Sequence, residues 1–161
     1  MRQFLQDFRQ SIDEARPRLL AIDEHVACAQ PPGKWSPKQI VGHLIDSAAN
    51  NHQRFVRAQF SNDLVFPGYD QEAWVDSQKY NDESWADLVE LWARYNKHLL
   101  HFISVMSTEA LTRQREEHNL DQIAFKPVAS ASSTTLEYFV RDYVDHMRHH
   151  LRQILGVQSN N

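Results

Sequence analysis

The sequence predicts an all-α fold, a four-helix bundle, and three observations predict it. Apolar residues recur at steps of three and four in four separate segments, the period of a helix with one buried face. Two of those segments open on helix-start signals built from a hydroxyl residue and a Gln or Glu three positions later. Only four glycines and six prolines punctuate the 161 residues, too few for a many-turned β fold.

The first helix is expected from Phe4 to about Ala29, with Phe4, Leu5, Phe8, Ile12, Ala15, Leu19, Ile22 and Val26 on one stripe. Pro31-Pro32-Gly33 stops it. In the second, Ser36 is the expected N-cap and Pro37 takes the first helical position, where a missing N–H costs nothing. Gln39 can return a bond to Ser36, and Trp35 can staple onto Ile40. This helix is expected to reach about Phe60 through Val41, Leu44, Ile45, Ala48, Phe55 and Val56. Pro67-Gly68 marks a turn, and residues 70–77 form a short helix. The third long helix begins near Ser84 and carries Leu88, Leu91, Trp92, Tyr95, Leu99, Phe102, Ile103 and Met106. The fourth is expected to start at Thr134, with Glu137 completing a capping box, and to end before Gly156. Residues 108–133 lack periodicity and form a crossover segment before the last helix, so a simple up-down-up-down order is not required.

With 42% hydrophobic and 24% charged residues, the composition is that of an ordinary globular protein, and residues 1–161 read as one domain. A net charge of −4 with mixed signs argues against nucleic acid as the main partner, because phosphate binding needs a basic face. No segment approaches the roughly 18 apolar residues of a membrane span, and the N-terminus lacks a signal-peptide core. The single cysteine, Cys28, excludes an intrachain disulfide and reads as a small buried hydrophobe on the first helix. These features predict a cytoplasmic protein.

The chemistry concentrates in "DYVDHMRHHLRQI", residues 142–154, which holds three of the nine histidines. On a helical wheel with His146 at zero, Leu136, Val140, Tyr143, Met147 and Ile154 fall between roughly 60° and 120°. His150 lies near 40° on that wheel, His146 at the edge of the arc and His149 near −60°. His146 and His150 therefore face the bundle, and His149 faces solvent or the rim. An i, i+4 histidine pair on one face can hold a transition metal. The second helix offers two third ligands. His52 falls inside its apolar arc, and His43 lies beside it on a polar stripe with Ser47, Asn50, Asn51 and Arg54. Spacing does not choose between them, and slightly favours His52. His25, His98, His101 and His118 have no partner pattern and are expected to be structural or exposed.

Several known site types are excluded. Met147 follows His146 where a zincin protease needs its Glu. There is no Glu-x-x-His pair of the di-iron bundles, no phosphate loop and no Gly-x-Ser-x-Gly elbow. Asp142, one turn before His146, could orient an imidazole. Arg54, Asn50 and Asn51 could hold an anionic substrate or thiol. Trp35, Trp74, Trp85 and Trp92 read as core or staple residues.

Together, "WSPKQIVGHLIDSAANNHQRF", "YDQEAWVDSQKY" and "TLEYFVRDYVDHMRHHLRQI" resemble the DinB/YfiT-like family, over about Trp35 to Ile154. The resemblance implies a four-helix bundle with one histidine ligand on the second helix and two on the last. On this sequence that set is His43, His146 and His150, so the resemblance chooses His43 over His52. It further implies one divalent transition metal, zinc or nickel before iron, and a small-molecule substrate. Family members include transferases that use low-molecular-weight thiols, and others described only as metal-dependent hydrolases. Thiol transfer or isomerisation is therefore the first expectation and hydrolysis the second. The competing expectation is a non-catalytic, stress-associated metal-binding bundle. A homodimer is also implied by the resemblance.

Overall fold

Ser36 and Pro37 start their helix as the capping rule requires. The Ser36 hydroxyl accepts from the Gln39 amide at 3.1 Å, and the Gln39 side chain accepts from the Ser36 amide at 2.9 Å. In this computed structural model, which describes residues 1–156, that helix is α3, Pro37–Ala58. Three other long helices accompany it: α1 (Arg2–Leu20), α5 (Trp85–Ser104) and α8 (Leu136–Leu155). Short helices fill the connections: α2 (Glu24–Ala27), α4 (Gln71–Gln78), α6 (Thr108–Thr112), α7 (Leu120–Ile123) and a 3₁₀ turn, Tyr80–Asp82. Among the described residues there is no sheet, only two isolated bridges. No described helix is long and apolar enough to cross a membrane.

The four long helices form the bundle, and their order is not the simple one. Both α1 and α3 pack mainly against α5 and α8, so α1 lies diagonal to α3, and α5 diagonal to α8. The core they enclose includes Phe8, Ile12, Leu44, Phe55, Leu88, Trp92, Leu99, Phe139, Tyr143 and Met147. Trp85 and Trp92 belong to it; Trp74 is partly exposed against Tyr69.

Two expected boundaries move, each for a visible reason. The first helix ends at Leu20 instead of Ala29. The Trp85 indole donates to the Leu19 carbonyl at 2.8 Å, satisfying a group that a longer helix would have used. Asp23 is then extended, and Glu24 pairs with buried Lys38 and accepts from the Trp85 amide. Val26 is consequently exposed, and Cys28 is a half-buried residue just past α2 rather than a core position. The last helix is capped by Thr135, not Thr134: the Thr135 hydroxyl accepts from the Tyr138 amide at 3.1 Å. Thr134 is not free to cap, because its amide and carbonyl both pair with Arg115. Glu137 instead pairs with Arg141.

Residues 108–133 are stitched to the bundle one polar contact at a time. The fully buried Arg115 guanidinium donates to the carbonyls of Ala58, Ala110 and Arg113. Asn119 exchanges side-chain bonds with the backbone of Phe66. The Asp142 carboxylate accepts from the Phe125 and Lys126 amides at 2.8 and 2.7 Å. These contacts fix residues 122–125 over the open end of the α3–α8 groove, where they form one wall of a cavity.

Candidate metal centre

Helix α3 is buried along more of its circumference than an amphipathic surface helix would be. Its polar stripe is buried with it: His43, Asp46, Ser47, Asn50, Asn51 and Arg54 are each at most 7% exposed. A polar face can be this buried only where its groups find partners or line a cavity. Asn50 and Asn51 bond back to the Asp46 and Ser47 carbonyls at 2.9 Å. Ser47, Asn51 and Arg54 line a cavity of 370 Å³ that they share with His146, His149, His150, Tyr143 and Phe125.

Beside this cavity the structure brings His43, His146 and His150 together; the two α8 histidines line the cavity, and His43 is fully buried. One ring nitrogen from each lies within 4.8 Å of the other two. His43 Nε2 and His146 Nε2 are 3.1 Å apart, and the three ring centroids are separated by 5.1, 4.9 and 4.6 Å. Two imidazole nitrogens sharing one tetrahedral ion at about 2.1 Å would sit about 3.4 Å apart, so the facing pair is near that spacing. No fourth His, Cys, Asp or Glu joins the group among the described residues.

Burial keeps these imidazoles neutral and their lone pairs available. Desolvation, with His150 beside it, pushes His43 down to about 4. His146 is pushed down to about 3 by burial and then by the neighbouring His150, His43 and His149. His150 is also lowered by burial, against a partial rise from its bond to Gln153.

The outer nitrogens are positioned unevenly. The Gln153 carbonyl oxygen can only accept, so His150 Nδ1 carries the proton of their 2.8 Å bond, leaving Nε2 unprotonated toward the site. The Gln153 amide donates to His149 Nε2 at 3.1 Å, which engages the lone pair of that ring. Ser47 Oγ lies 3.4 Å from His146 Nδ1. His43 Nδ1 has no partner among the described residues; the Trp35 ring lies tilted beside the imidazole, 5.0 Å away centroid to centroid.

His52 does not join this group. It faces α5, with its Nδ1 3.4 Å from the Tyr95 hydroxyl and its ring 5.0 Å from that of His98. The apolar arc of α3 faces α5, which is why the wheel leaned toward a histidine that stands apart from the His146–His150 pair. Asp142 orients no imidazole, since both its oxygens hold backbone amides of the cavity wall. His118 is structural, bonded to the Ser132 carbonyl at 2.7 Å, and His25, His98 and His101 are exposed. Sequence reasoning missed Gln153, Tyr69 and Phe125. The spacing His43, Ser47, Asn51, Arg54 was a usable signal: steps of four, four and three on one face mark a polar stripe that runs along the helix.

A family model described as the DinB superfamily matches residues 7–154. Over 53 residues, the chain is 34% identical to a protein of Oceanobacillus iheyensis named "Putative metal-dependent hydrolase OB0413". That match spans 33% of this chain and 31% of the relative, so the chain covers about a third of that curated relative's length. Among solved structures, YfiT from Bacillus subtilis matches 93% of this chain and 83% of its own, with a TM-score of 0.72 and 19% identity. Its structure is described as that of "a probable metal-dependent hydrolase with an unusual four-helix bundle topology", and at that identity the likeness is one of fold.

Proposed function

The chain belongs to the DinB superfamily, and on that premise we propose that it is a metal-dependent enzyme whose centre is His43, His146 and His150. The convergence of three neutral imidazoles, two of them lining an open cavity, carries this reading. A divalent transition metal held there would supply a Lewis acid that makes a small bound nucleophile reactive at neutral pH. The chain's own part is to hold three ring nitrogens toward one point, to keep them unprotonated by burial, and to shape the cavity above them. The names of the matched relatives support water as the nucleophile and hydrolysis as the reaction.

A specific observation favours a second nucleophile, a low-molecular-weight thiol. Among the described residues Asp142 is the only carboxylate lining the cavity, and both its oxygens are engaged by backbone amides. His149, the nearest further imidazole, has its lone pair engaged by Gln153. Among the described residues, no Asp, Glu or further His lining the cavity is a free general base. A thiol, with an ordinary pKa near 8.5, is far easier to ionise than water and depends less on such a base. A storage role fits less well, since closed sites use a fourth protein ligand.

The test is metal content of untagged full-length protein reconstituted with zinc, nickel or iron(II). About one equivalent is expected for wild type and for His52→Ala. His43→Ala, His146→Ala and His150→Ala should each lose it. Loaded protein is then assayed on ester and amide panels, alone and with small thiols plus an electrophile. Protein that takes up no metal under any of these conditions would overturn the reading.

A further inference from the structure

The cavity holds a second feature that the triad does not use. Arg54 is 5% exposed and lines the cavity, yet no Asp or Glu pairs with it among the described residues. Its Nη2 donates to the Pro67 carbonyl at 2.7 Å, and its Nη1 makes only a 3.5 Å contact with Asn51 Oδ1. A guanidinium has five N–H donors, so most of its donor capacity is unspent. A buried cation without a counter-ion is costly, and the usual remedies are an ion pair or full hydrogen bonding. The other buried arginine comes closer to the second remedy: Arg115 donates to three carbonyls, with its Nε left without a partner, and it does not line this cavity. Arg54 does neither.

We infer that Arg54 is the anchor of a carboxylate subsite, and that the protein acts on, or with, a small organic monoanion. This rests on the metal-enzyme reading of the same cavity. The charge count selects a monoanion. Among the described residues Arg54 is the only Lys or Arg lining the cavity, and the Asp142 carboxylate shares its wall; at this end, apart from the triad and the divalent ion it would hold, a dianionic phosphate would meet one cation and one fixed negative charge. A carboxylate suits the planar fork of a guanidinium, which binds it through two parallel bonds. The Tyr69 ring beside Arg54, its centroid 6.0 Å from the guanidinium carbon, completes this end of the cavity.

The spacing sets the length of the ligand. Arg54 is eleven residues after His43 on α3, about 16 Å along the axis at 1.5 Å per residue. Helical side chains all lean toward the N-terminus, and the longer Arg54 side chain carries its guanidinium further back than His43 carries its ring, which leaves on the order of 10 Å between guanidinium and triad. A chain of about six carbons spans that gap.

Calorimetric titration of the full chain tests this with matched pairs of ligands. Metal-free protein receives hexanoate or hexanamide; zinc-loaded protein receives 6-mercaptohexanoate, its amide, or 6-hydroxyhexanoate. Wild type should prefer acid over amide by tenfold or more in both forms. Arg54→Gln should abolish that preference, and Arg54→Lys should retain a reduced one, with circular dichroism confirming the fold of each. If Arg54→Gln does not fold, Arg54→Lys carries the test through its reduced preference. Equal affinity for acid and amide in wild type, or an unchanged preference in either variant, would overturn the subsite. The thiol-against-hydroxyl contrast is separate: its absence in zinc-loaded protein counts against the metal reading and leaves the acid preference to be read alone. Presaturation of zinc-loaded protein with 2-mercaptoethanol separates the two sources of the acid. Hexanoate that still binds places the carboxylate on the second substrate, and hexanoate that is excluded places it on the thiol; both support the subsite.

Discussion

Helix α3 carries two histidine environments nine residues apart, and they differ in what surrounds the ring rather than in the ring. His43 is fully buried and meets two further imidazoles from α8 that line a cavity. His52 is half-buried, meets the Tyr95, His98 and Phe102 rings edge-on across α5, and finds only one other imidazole, itself exposed. Three convergent donors with their charge suppressed form the candidate ligand set. Two donors on a wet surface make an aromatic cluster. The comparison teaches that membership of the apolar arc is poor evidence for a buried ligand, because an arc says which neighbour a residue faces and not what waits there.

The largest expected effect that separates the two environments is acid lability. His43 and His146 ionise near 4 and 3 in the fold and near 6.5 when the chain is unfolded. Below pH 6.5 the unfolded state therefore takes up protons that the folded state refuses. The stabilisation is present above that pH and lost as pH falls toward 4. For the metal-free protein the loss should be on the order of 5 kcal/mol between pH 6.5 and 4, read by urea unfolding across that range. His43→Ala should flatten the dependence, and His52→Ala should leave most of it. A steep dependence in which His52→Ala matches His43→Ala would break the comparison.

The next effect acts on the backbone under His43. A Cβ at Gly42 would lie 2.1 Å from the Tyr80 ring, whose hydroxyl donates to the buried Asp46 carboxylate at 2.7 Å and so cannot simply retreat. Gly42→Ala should cost about 3 kcal/mol by overpacking, measured by chemical denaturation. It should also weaken zinc uptake, because His43 is the following residue, while the Tyr95 fluorescence environment near His52 changes little.

How much of this was legible follows from particular residues. The Ser36–Gln39 box, the α4 and α5 starts and the His146–His150 pair are local patterns, and each stands where the pattern put it. The choice of His43 was not local. It depends on which face of α3 meets α8, and that follows from a bundle order in which consecutive long helices can lie across a diagonal. The end of the first helix was hidden for the same reason, since the group that caps Leu19 is the indole of Trp85, 66 residues away. Asp142 shows the limit of spacing arguments. One turn from His146, it has the right position for a supporting carboxylate, but the amides of Phe125 and Lys126 claim both oxygens.

A smaller effect tests the support of the ligand set. Gln153 holds His150 Nδ1 and so fixes which nitrogen of that ring faces the cavity. Outer partners of metal-bound histidines are typically worth 10- to 100-fold in affinity, and Gln153→Ala should weaken zinc binding within that range in a chelator competition. Ser47→Ala, whose contact with His146 is 3.4 Å, should cost less. An unchanged affinity in Gln153→Ala would show that packing alone orients His150.

The smallest effect belongs to the other environment. His52 makes one long polar contact, 3.4 Å to the Tyr95 hydroxyl, and three edge-on ring contacts. Burial and the neighbouring His98 lower its pKa, so the ring is already held as a neutral aromatic. Phenylalanine preserves the ring contacts and removes only that weak bond, whose net worth is at most about 1 kcal/mol. His52→Phe should therefore change stability by less than about 1 kcal/mol and leave zinc stoichiometry at one equivalent. A variant that folds normally yet loses its metal would move the ligand set across α3 and undo the distinction between the two histidines.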